Sequence, residues 1–100
     1  MTNVYVAAAR ISLHIPASQS LKDRRAVVRS LTDRVRVKFG AAVAEVGGQD
    51  TWQVAVIGVS VVSGTMNHAQ ERLDELIRFI EEFSPEALVT TVDADVIPFE

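Results

Sequence analysis

One hundred residues, 48% of them apolar and 23% charged, make a chain of ordinary globular composition, sized for one compact domain and too apolar for intrinsic disorder. The formal net charge is −3 and there is no cysteine, which excludes a disulfide framework, a thiolate zinc or copper site, an iron–sulfur cluster and a cysteine nucleophile. No signal-peptide pattern opens the chain and its longest near-apolar run, residues 52–62, is too short and too interrupted to span a bilayer, so a cytoplasmic domain with no membrane partner is expected.

Residues 4–15 predict a strand, with Tyr5, Ala7, Ala9, Ile11, Leu13 and Ile15 on one side and Val4, Val6, Ala8, Arg10, Ser12 and His14 on the other. Pro16 ends it. Ser20 is a helix N-cap, and Asp23 three places on approximates a capping box. Leu21, Val28, Leu31, Val35 and Phe39 then recur on one helical face until Gly40 supplies the stop. Residues 41–46 predict a short strand, Gly47-Gly48-Gln49-Asp50 a turn, and residues 52–62 a long strand, together a hairpin. Thr65 or Asn67 caps a second helix with a core stripe of Ala69, Leu73, Leu76, Ile77, Ile80 and Phe83, ended by Ser84-Pro85. Residues 88–97 form the last strand, closed by Pro98.

The order β-α-β-β-α-β is the split arrangement of the ferredoxin-like fold, an α+β two-layer sandwich. It predicts one domain over residues 1–100, an antiparallel sheet of order 4-1-3-2, both helices on one face and the other face open.

Charge is sorted by element. Seven of the ten Lys and Arg residues lie within residues 20–39 with two acidic ones, a local +5, whereas the second helix carries a local −3. At 100° per residue, Lys22, Arg25, Arg29 and Arg36 fall within about a 60° wedge beside the core stripe. Arg34 and Lys38 lie on the other flank, and Arg24 falls near the buried side, where it must snorkel or pair. A solvated helix face is one reading of this pattern. The other is a ridge that binds the phosphates of structured RNA, to which Ser18 and Ser20 would add hydroxyls at the helix N-terminus. Aromatic rings are not placed for stacking as in an RRM, and no GXXG loop is present, so contact would be with backbone and shape. No DNA contact is expected.

The segments LHIPASQSLKDRRAVVRSL and AEVGGQDTWQVAVIGVSVVS carry a resemblance. With the acidic second helix, they make the chain similar over its whole length to the YlxP-like family of small bacterial proteins, whose function is uncharacterised. The resemblance implies a ferredoxin-like domain and, because genes of the family often neighbour those for translation initiation and ribosome maturation, a ribosome-linked role. It implies no catalytic residue. The positions matching the family motifs are His14, Ser18, Ser20, Leu21, Lys22, Arg25, Glu45, Asp50, Trp52 and Gln53. Gly47-Gly48 departs from the bulkier or polar residues common in relatives.

No reaction centre is expected, and no cofactor or metal. His14 with Ser18 or Ser20 lacks a nucleophile elbow. Asp93 and Asp95 share the open sheet face with Arg10 and His14, which predicts cross-strand ion pairing before a magnesium site. Acylphosphatase-type chemistry would need a glycine-rich, arginine-bearing phosphate loop that is missing. Glu45, Asp50, Trp52 and Gln53, around the hairpin, are either turn and core-capping groups or an interaction site. Two functional readings result. One is a non-enzymatic accessory protein contacting structured RNA or the ribosome through Ser18, Ser20, Lys22, Arg25, Arg29 and Arg36. The alternative is a homodimeric or ligand-sensing module using the open sheet face, where Val4, Val6, Ala8, Val54, Val56 and Val62 form an apolar surface.

Overall fold

Alternation along the first strand sets the layer on which the rest packs. In β1 (Val4–His14), Ala7, Ala9, Ile11 and Leu13 are buried, while Val4, Val6, Ala8, Arg10, Ser12 and His14 face the other way. The computed structural model describes residues 2–16, 18–48, 51, 53–83 and 85–99. Along the chain follow α1 (Leu21–Phe39), β2 (Ala42–Gly47), β3 (Val54–Ser63), α2 (Met66–Phe83) and β4 (Leu88–Phe99). The sheet order is β2-β3-β1-β4, every pair antiparallel, which is the expected order read from the opposite edge.

Both helices lie on the face lined by Ala7, Ile11, Leu13, Ala55, Ile57, Val59 and Val61. Val28, Leu31 and Val35 of α1 and Ala69, Leu73, Leu76 and Ile80 of α2 complete the core. Each fully buried Leu or Ile contributes about 1.5–3 kcal/mol relative to exposure, so the two stripes read from periodicity hold the layers together. Among the described residues no helix is long and apolar enough to cross a membrane.

Element ends follow local chemistry. The Ser20 hydroxyl accepts from the Asp23 backbone N–H at 3.1 Å. Asp23 answers by accepting from Gln19 N–H at 3.3 Å, one residue earlier than the capping box expects. Thr65, not Asn67, caps α2, its Oγ1 accepting from His68 N–H at 3.2 Å. Gly48 closes the β2–β3 turn at φ 78°, and a Cβ there would stand 2.9 Å from the Val54 carbonyl, so only glycine fits. β4 runs through Pro98 to Phe99, two residues beyond the expected end, because an edge strand tolerates a missing N–H.

Among the described residues one charged side chain is buried among the apolar ones. Arg24, in the second turn of α1, is 2% exposed, pairs with the Glu45 carboxylate of β2 and donates through Nε to the Val54 carbonyl at 2.7 Å. Glu45 can reach it because β2 alternates Val43 and Glu45 toward the helices and Ala42 and Ala44 away. The pair therefore ties helix, edge strand and the start of β3 together. Removing Glu45 strands the Arg24 charge in a dry site. Glu45→Ala is expected to lower unfolding free energy by about 3 kcal/mol in urea titration. A change at exposed Glu75→Ala should stay within about 0.5 kcal/mol.

Candidate anion-binding surface

α1 packs against β2 on one side and α2 on the other, and β2 is a sheet edge, so one flank of α1 looks past the edge into solvent. Between that flank and β2 opens a cleft of about 310 Å³ lined by Arg25, Arg29, Thr32, Asp33, Arg36 and Glu45. Three of the four wedge cations thus share one cleft, with Lys22 exposed on the same flank at the helix start.

Their electrostatic states differ. Arg36 forms an exposed ion pair with Asp33 at 3.1 Å and donates to the Val43 carbonyl of β2 at 2.8 Å. It satisfies one acceptor of an edge strand and is partly neutralised. Glu45 is neutralised by Arg24 from beneath. Lys22, Arg25 and Arg29 are exposed, and their side chains have no hydrogen bond or ion pair among the described residues. Arg25 and Arg29 stand one turn apart, about 6 Å along the axis, and the row from Lys22 to Arg36 runs about 21 Å. Three unneutralised cations therefore line one open flank, a surface that attracts an extended polyanion.

Other expected members do not join it. Ser18 is buried and donates to the Ser20 carbonyl at 3.1 Å, while the Ser20 hydroxyl is occupied by the cap. The helix N-terminus already holds an anion, the carboxylate of Asp23, so these serines leave the candidate set. Gln53 is exposed, and its carbonyl accepts from Ile15 N–H at 2.8 Å, a structural tie at the hairpin base. Asp50 and Trp52 lie outside the described residues. On the far flank, Arg34 sits over the Phe83 ring at 5.8 Å and Lys38 over Phe79 at 5.2 Å, so those cations cap the aromatic cluster between the helices.

Several other titratable groups have local partners. Arg10 and Asp93 form the expected cross-strand pair at 3.1 Å, and Asp95 accepts from Val96 N–H. Ser63 and His68 Nδ1 lie 2.9 Å apart at the exposed start of α2, beside the cap and, among the described residues, without a carboxylate to orient the ring. Arg72 was not singled out by periodicity, yet it donates to the carbonyls of Phe39 at 2.7 Å and Val62 at 2.8 Å. It thereby clamps the end of α1 to β3. Its signal was an arginine directly beside the core position Leu73.

With this geometry in hand, a family model described as "Protein of unknown function (DUF503)" matches residues 6–94. The chain belongs to that family. It is also 38% identical, over 64 residues, to "Uncharacterized protein YlxP" of Bacillus subtilis (strain 168), an alignment covering 64% of this chain and 70% of that relative. The resemblance read from the LHIP and AEV segments is therefore correct.

The two kinds of arginine in the DUF503 chain separate by stability. Arg36→Ala, losing a carbonyl contact and an ion pair, should cost about 1 kcal/mol in thermal or urea unfolding. Arg29→Ala should change stability by no more than about 0.5 kcal/mol.

Proposed function

We propose that this DUF503 protein is a non-enzymatic accessory factor that contacts structured RNA, ribosomal RNA first of all, through the outer flank of α1. The observation that carries the reading is the row of Lys22, Arg25 and Arg29, unneutralised among the described residues, with Arg25 and Arg29 lining a solvent-open cleft that Arg36 continues. In a chain with net charge −3, Lys22, Arg25 and Arg29 on one flank of α1 act locally, as a strip, rather than through bulk attraction.

A row about 21 Å long suits a phosphate backbone better than a single small anion. Among the described residues every buried side-chain N or O has a partner, so no orphaned donor awaits a compact ligand. Guanidinium and ammonium groups with no stacking ring beside them among the described residues of the cleft would read charge and backbone shape, not base sequence. Cytoplasmic action accords with a cysteine-free chain.

Counterion release makes the reading measurable. Affinity for a structured ribosomal RNA fragment should fall as salt rises, and Lys22→Ala with Arg29→Ala should weaken binding and lower the log–log salt slope by about two. Equal affinity and slope for wild type and the double variant would remove the strip from the account. Circular dichroism on the variant confirms that folding is retained.

A further inference from the structure

The open side of the sheet, opposite the helices, carries a different surface. Of the nine exposed large apolar side chains among the described residues, six (Val46, Val54, Val62, Leu88, Ile97 and Phe99) lie on this face, so it is the main apolar area without cover. The strand register arranges them in rows. Val62, Val6 and Ile97 align across β3, β1 and β4, with Phe99 beside Val4, while Val54, His14 and Leu88 align at the other end. Between the ends, Gly58, Arg10 and Asp93 form one row and Ser60, Ala8 and Asp95 the next.

We propose that this face is a homodimer interface, closed face to face by a second copy of the same chain. The first argument is electrostatic. The middle holds one guanidinium and two carboxylates, a pattern of both signs that a two-fold axis can satisfy by setting Arg10 against the partner's Asp95. Polyanions are repelled by Asp93 and Asp95, so RNA is not the occupant. The second argument is extent. Strands of 11, 6, 10 and 12 residues, set about 4.8 Å apart, present roughly 600 Å² per copy, or about 1,200 Å² in a pair, the lower bound for a stable interface.

Stacking is favoured over edge pairing. Two β4 strands paired antiparallel would bring the Asp93 and Asp95 carboxylates of both copies onto one side of the joint. Stacked sheets instead keep β4 and β2 free, with the two α1 helices outermost. This dimer does not depend on RNA binding, but it would present two basic flanks facing opposite ways.

Light scattering on the full chain at micromolar concentration tests it. The expected mass is twice 10.9 kDa and persists at high salt, because apolar contact dominates. Val62→Glu with Ile97→Glu, at positions 55% and 52% exposed in the single chain, should weaken the dimer at least about tenfold by burying unpaired carboxylates. Phe99→Glu, at a 71% exposed strand end, gives a second variant less demanding of the fold, and circular dichroism reports folding of each. Lys22→Ala with Arg29→Ala should leave the dimer intact. A single-chain mass for wild type overturns the proposal and leaves the face to a different protein. Doubling only on addition of RNA, or a dimer indifferent to all the sheet-face variants, overturns it equally.

Discussion

A guanidinium taken out of water needs an anion within reach, and Arg24 finds one across a layer boundary. Its carboxylate partner, Glu45, lies on the edge strand, and its Nε bond goes to the first residue of the neighbouring strand. The edge strand is short and held to the sheet on one side only, so the ion pair and the Arg36–Val43 contact fix how α1 lies along it. That orientation decides which flank of α1 looks outward. A helix turned by one residue position would carry Lys22, Arg25 and Arg29 round by about 100° and lose the strip.

The cations of α1 thus divide by task. Arg24 welds, Arg36 covers an edge-strand carbonyl, and Arg34 and Lys38 lie over phenylalanine rings. What remains is a small set with no internal work among the described residues. The chain's modest net charge conceals this sorting, since acidic α2 offsets basic α1 in the total but lies on the far side of it. The sheet's open face differs in character, apolar at both ends and mixed in sign at the middle, so the molecule has two chemically distinct outer surfaces.

Much of the fold was legible because period and punctuation agreed. Alternation from Tyr5 to Leu13 and the stripes of α1 and α2 named the buried residues, and glycine, proline and capping side chains marked the ends. Proline misled once, at Pro98, because its missing N–H is harmless on an edge and edges are defined only by the finished sheet. The candidate site was legible as a wedge of four cations, but not in its membership. Helical geometry places Arg36 beside Arg29, yet only tertiary structure brings Val43 within its reach. Ser18 and Ser20 fit a phosphate loop by type, and they proved to be spent on local hydrogen bonds. Glu45 stood among the contact candidates because it matches a family motif and lies beside the hairpin turn. Its partner lies 21 residues away in sequence, a separation that no local pattern reports.

The account stands on the claim that Arg25 and Arg29 are available to an external anion while Arg24 is not. Arginine side-chain Nε–Hε resonances, followed by NMR during titration with a structured ribosomal RNA fragment, test it residue by residue. Progressive shifts at Arg25 and Arg29 with an unmoved Arg24 are the predicted result. Unchanged resonances at Arg25 and Arg29, with RNA bound or not bound, would contradict it.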